Sequence, residues 1–126
     1  MNQRLSLLFA ATLGGLAVVT GAFGAHALRD VLTTAGRMET FETAVRYQFY
    51  HALALLVTGV LMDKYTRKTM RMAALAFLLG VVFFCGSLYL YCFLGVPAFG
   101  AVAPLGGTLF VIGWASLLMA VYRGPD

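Results

Sequence analysis

LSLLFAATLGGLAVVTGAFGAHAL, residues 5–28, runs without a single charged side chain. As an α-helix at about 1.5 Å per residue it reaches roughly 36 Å, enough to cross a hydrocarbon core of about 30 Å. Small residues recur inside it. Ala10, Gly14, Ala17, Gly21 and Gly24 follow a 4,3,4,3 spacing and so form one stripe on a helix. Lipid supplies no hydrophobic push between helices, so close backbone approach and dispersion must hold them together, and small residues permit that approach. Such a seam serves packing within a chain more often than a dimer face. The stretch ends on GAFGAHAL, where His26 stands at the edge of an apolar helix.

The rest of the chain repeats the theme. Of 126 residues 61% are hydrophobic and only 11% charged, with a mean hydropathy of +0.87. A soluble domain carries about a quarter of its residues as Asp, Glu, Lys and Arg, so this chain lacks the charge to cover a water-facing surface. Three more apolar runs follow, and the reading is an all-α integral membrane protein. It forms a single transmembrane domain over 1–126, a four-helix bundle with spans near 5–27, 40–62, 72–94 and 104–122. The second run, Tyr47–Met62, is short for a span, but METFETAVR before it is helically patterned, with Glu42 and Arg46 in the favourable i,i+4 order. That helix therefore starts near Met38, outside the bilayer. Unbroken apolar runs lack the alternation of a membrane barrel. Arg4, the apolar core and Ala25-His26-Ala27 imitate a secretory signal, but the run exceeds the 7–15 residues or so that a signal core needs.

Lys and Arg placement orients the spans. Arg4, Lys64, Arg67, Lys68, Arg71 and Arg123 fall on one side. Arg29, Arg37 and Arg46 fall on the other, diluted by Asp30, Glu39 and Glu42. Both termini are expected in the cytoplasm of a bacterial inner membrane. The net charge of +4 thus reflects topology, and no nucleic-acid partner is implied, for want of a basic surface with interleaved aromatics. In DKYTRKTMR, Lys64, Arg67 or Lys68, and Arg71 would share one helical face. They are candidates for anionic-lipid contact, beside the plainer role of topology determinants.

Chemistry-bearing motifs are few. Cys85 and Cys92 lie seven residues apart, about 10.5 Å along a helix, too far to bridge. His26, His51, Cys85 and Cys92 contain no close-spaced ligand pair, so no metal site is expected. With no G-x-S-x-G, no P-loop and no paired intramembrane carboxylates, neither an enzyme nor a cofactor is implied.

The remaining motifs are GAFGAHAL, FETAVRYQFYHALALL, FFCGSLYLY, and APLGG followed by Gly113-Trp114. Together they resemble the family of small inner-membrane proteins typified by bacterial YgdD and YwdK. The resemblance covers most of the chain and touches every expected helix. It implies a four-helix integral membrane protein, of a class with mitochondrial relatives and no established molecular function. The matching positions are Gly21, Gly24, His26, Tyr47, Gln48, His51, Gly86, Ser87, Tyr89, Pro104, Gly106, Gly107 and Trp114. One departure is Ala103, where the resemblance implies a hydroxyl residue. Gly86, Gly106 and Gly107 join the first-helix stripe as expected packing positions.

Counting depth along the helices brings these motifs to one level, in the outer third of the bilayer. Phe41, Ala44, Gln48, His51, Leu55 and Thr58 form one seam of the second helix, and Gly80, Ser87 and Tyr91 share a face nearly opposite Cys85 on the third. The expectation is a polar cluster of His26, Gln48, His51 and Ser87, with Tyr47 or Tyr89 nearby. The plainer alternative leaves His26 wetted among headgroups and His51 bonded to a backbone carbonyl. Two functions fit this pattern. One is a binding or conducting module built on the cluster, since intramembrane polar residues are costly and usually functional. The other is a structural or assembly partner, as a homo-oligomer or within a larger membrane complex, because no Asp, Glu, Lys or Arg is buried.

Overall fold

A computed structural model describes residues 1–65 and 68–125, and every element among them is helical. Helix α1 spans Gln3–Ala25. Asn2 caps it, its side chain accepting from the Leu5 backbone N–H at 2.9 Å. A short helix α2, Arg29–Thr34, sits in the first loop and was not legible in its polar sequence. It closes on a Schellman turn: Gly36 takes φ +69°, its N–H bonds Thr33, and the Arg37 N–H bonds Leu32 at 2.8 Å. Helix α3 then runs Met38–Leu61.

Helix α4, Lys68–Gly80, continues through a π-helical turn, Val81–Cys85, into α5, Gly86–Leu94, making one 27-residue rod. Gly95, at φ +69°, ends it. A four-residue helix α6, Pro97–Gly100, leads into α7, Ala103–Tyr122. Pro104 stands in the first turn of α7, where a missing N–H costs nothing. Among the described residues, three helices are long and apolar enough to cross a membrane: Gln3–Ala25, Lys68–Leu94 and Pro97–Tyr122. Helix α3 matches them in length, but Glu39, Glu42, Arg46 and Gln48 make its first half polar.

Two antiparallel pairs build the molecule. Helix α1 packs along α3, the 27-residue rod packs along α7, and α3 joins the pairs. The α1–α3 contact is the small-residue stripe. A Cβ on Gly14 would stand 3.9 Å from the Ala52 Cβ, one on Gly21 3.2 Å from Val45, and one on Gly24 would enter the Phe41 ring. Ala10, Ala17 and Gly24 are buried there. In the second pair each helix sets glycine under the other's phenylalanine. Gly80 meets Phe110, Gly113 meets Phe77, and Gly106 lies against the backbone of Phe84.

The interior is mostly small, with Ala44, Ala73, Ala74 and Ala120 fully buried. Large apolar side chains point outward on every long helix, as Leu16, Val18, Val57, Phe93, Val111 and Leu118 do. This inversion suits lipid as the surrounding solvent.

Three expectations need correction. Gly86 meets nothing within 4 Å of a built Cβ, and Gly107 only the edge of Phe84 at 3.9 Å, so Gly86 is not a packing position. Lys64 lies in the turn after α3 rather than on a helical face with Lys68 and Arg71; Arg67 lies outside the described residues. Cys85 is buried on the core side with Val81 and Phe77 instead of opposite Gly80. The π-turn explains this. An additional residue in one turn shifts the helical phase by about 100°.

Candidate site: two polar nodes on α3

The seam Phe41, Ala44, Gln48, His51, Leu55 and Thr58 is buried throughout. Its two strongest polar members face different neighbours. The Gln48 Nε2 donates to the Leu13 carbonyl of α1 at 2.9 Å, and its Oε1 accepts from the Tyr89 hydroxyl at 2.7 Å. One side chain thus ties α3 to α1 and to α5. The Leu13 carbonyl has a second lone pair beyond the one its own helix uses, so this bond costs the helix nothing. Edge-on contact between Phe41 and Tyr89, centroids 5.6 Å apart, holds the phenol in place.

One turn further, His51 ties α3 to α7. Its Nδ1 lies 2.7 Å from the Tyr47 carbonyl, and its Nε2 accepts from the Trp114 indole N–H at 3.2 Å. An indole nitrogen can only donate and a carbonyl can only accept, so the network assigns the proton to Nδ1. Both ring nitrogens are satisfied by a neutral imidazole in this tautomer. The ring stacks on Phe110 at 3.5 Å between centroids, 8° from parallel, with Tyr47 and Phe77 completing an aromatic surround.

Of the residues expected to converge, Gln48 and Tyr89 meet directly, while His51 meets Tyr47 through the latter's carbonyl and ring. His26 and Ser87 do not join them. His26 is exposed beside Ala22, Phe23 and Ala27. It lies two residues past Gly24, about 200° around the helix, so a seam that turns Gly24 toward α3 turns His26 away. The Ser87 hydroxyl donates to the Phe84 carbonyl of its own rod at 2.9 Å; it stands about 200° around α5 from Tyr89, which faces α3.

Trp114 is the functional partner that spacing arguments missed. It is the chain's single tryptophan, and a Trp N–H in apolar surroundings seeks an acceptor. Arg37 does more than bias topology. Its guanidinium donates to the Cys92 carbonyl at 3.2 Å, in the last turn of α5, and covers the Tyr91 ring at 5.7 Å. A cation there satisfies an end carbonyl and complements the helix dipole. A Cβ on Gly95 would collide with that guanidinium. Among the described residues, no three His, Cys, Asp or Glu side chains gather as a metal site would require.

Apolar helices with lipid-sized side chains turned outward and a sealed polar seam inside define a helical membrane protein. Comparison with known proteins places it more closely. A family described as "Protein of unknown function (DUF423)" matches residues 20–107. A UPF0382 membrane protein of Staphylococcus haemolyticus is 38% identical over 121 residues, covering 96% of this chain and 98% of its own length. One from Staphylococcus epidermidis is 44% identical over 108 residues, 86% of this chain and 87% of the relative. The UPF0382 inner membrane protein YgdD of Escherichia coli K12 is 36% identical over 123 residues, covering 98% and 93%. The chain belongs to this DUF423/UPF0382 family of membrane proteins. No solved structure matches it.

Proposed function

We propose that this chain is a non-catalytic structural or assembly module of a bacterial inner membrane, crossing it four times with both termini in the cytoplasm. One observation carries the choice over a binding or conducting role. Gln48 and His51 direct their polar atoms at partners within the chain, and Phe110 and Trp114 close the space around the imidazole. A conducting path or ligand site needs polar atoms facing open volume, whereas here they link α3 to each neighbouring helix. Interhelical bonds of this kind add about 0.6 kcal/mol each in a membrane, enough to select one arrangement of helices rather than to drive chemistry.

Helix α3 completes the fourth span in this reading. The polar atoms of Gln48 and His51 are neutral and internally bonded, which lowers the cost of burying them in lipid. Lys64, Lys68 and Arg71 then act as topology determinants on the cytoplasmic side. Purification from native membranes in mild detergent tests the proposal. A protein partner recovered at fixed stoichiometry supports it. A pure homo-oligomer carrying a small molecule bound at Gln48 or His51 would overturn it.

A further inference from the structure

A groove of about 340 Å³ opens between the end of α1 and the beginning of α3. Gly21, Gly24, Phe41 and Val45 form its apolar floor, and Glu42 and Arg46 stand at its rim. Gly21 and Gly24 leave its α1 wall without side chains, and a Cβ at either would press on Val45 or into the Phe41 ring. Its level in the bilayer follows from α1. Counting from Gln3, Gly21 and Gly24 lie roughly 27 and 31 Å along the axis, at the far edge of a hydrocarbon core of about 30 Å. The groove therefore sits where acyl chains give way to headgroups, whichever side of the membrane that is.

The two charges are ordered along that depth. Helix α3 enters the membrane from Met38 inward, so Arg46 is the deeper charge and Glu42 lies one turn, about 5 to 6 Å, further out. Both are exposed. The Arg46 Nε donates to the Glu42 backbone carbonyl at 3.3 Å, which turns one edge of the guanidinium to its own helix. Among the described residues its two terminal nitrogens have no hydrogen-bond partner, and neither does the Glu42 carboxylate. They present a fork for phosphate and an acceptor for an ammonium group.

We infer that this groove binds a phospholipid with a primary-ammonium headgroup, of the phosphatidylethanolamine class. In such a lipid the phosphate is the deeper charge and the ammonium the outer one, separated by a two-carbon arm. That order and spacing match Arg46 below Glu42. The glycerol and first acyl carbons then lie on Gly21 and Val45. An anionic headgroup without an amine would meet Arg46 equally well but set its hydroxyls and net negative charge against Glu42.

The test uses the full-length protein in detergent with added phosphatidylethanolamine or phosphatidylglycerol at equal mole fraction. Retained lipid is counted by native mass spectrometry and thermal unfolding is followed in parallel. Wild type is expected to retain the ethanolamine lipid about two- to fivefold better, the scale of one exposed ion pair. Glu42→Gln should bring the two lipids to parity, and Arg46→Gln should weaken retention of both. Both side chains are exposed, so these variants keep the fold, which circular dichroism checks. Ala25→Trp, which blocks the groove from its exposed wall, should lower retention without touching either charge. Equal retention of the two lipids by wild type, or a preference that survives Glu42→Gln, would overturn the assignment.

Discussion

His51 and Gln48 are neighbours on one helix face, yet each is held by a different set of partners. The imidazole is committed by an indole donor on one side and a carbonyl acceptor on the other. Nitrogen NMR of labelled protein should accordingly report a protonated Nδ1 and an unprotonated Nε2. The opposite tautomer would contradict the Trp114 bond. Gln48 and Tyr89 form a separate pair, so Gln48→Met and Tyr89→Phe should be non-additive. Their coupling is expected at about 0.6 kcal/mol and no more than about 1.7, measured by reversible unfolding in mixed detergent. Gln48→Met combined with Trp114→Phe should add within about 0.5 kcal/mol, because those side chains share no partner. Gln48 and His51 were legible as inward-facing from periodicity alone. Their choice of partners was not, because it depends on which groups the neighbouring helices bring to that level.

Among the glycine contacts, that of Gly106 is made against the main chain of another helix, at the π-turn. A methyl group there would lie 2.6 Å from the Phe84 Cα, which is main chain and cannot rotate aside. Gly106→Ala should therefore cost about 1–3 kcal/mol and lower the thermal midpoint in detergent. Gly86→Ala, one helix away and facing open space, should be neutral or stabilise by up to about 1 kcal/mol through helix propensity. Equal effects of the two would refute the reading that α7 rests on the backbone of the rod. The π-turn itself can be tested by deleting Phe83, an outward-facing member of it. The turn holds one residue more than a regular α-turn needs, so the deletion should leave a regular helix with Tyr89 still bonded to Gln48. Deleting Leu90 instead would rotate everything beyond it by about 100°. The helices themselves were plain in the apolar runs. The π-turn was not, because VVFFC is an unremarkable helical string and its conformation answers to the packing around it.

Taken as a molecule, the chain stacks two hairpin-like pairs and tethers its first loop to the end of the 27-residue rod through Arg37. Topology can be read with cysteine labelling because both native cysteines, Cys85 and Cys92, are free and buried and should stay silent toward a membrane-impermeant maleimide. In that background Lys68→Cys should react only after permeabilisation, and Glu39→Cys in intact cells. Both target positions are exposed. Labelling of Lys68→Cys from outside would invert the topology. If both labelled on the same face, α3 would not span.

The family, the helical class and the need for lipid were all decided by the sequence itself. Charge content, uninterrupted apolar length and the placement of small residues are local quantities, and they survive any arrangement of the helices. The stripe from Ala10 to Gly24 belongs here too, since a straight helix turns i, i+4 and i+7 to one side whatever it meets. The tertiary structure alone decided that Ser87 bonds its own rod, that Trp114 completes the His51 node and that Arg37 caps α5. Helical periodicity assigns a face only within an unbroken α-helix and says nothing of the neighbour across it. The π-turn shifts that phase midway along the rod, and the glycine–phenylalanine contacts set how close each neighbour stands. Which polar atoms come within hydrogen-bond reach follows from those two quantities, and both are properties of packed helices rather than of any one segment.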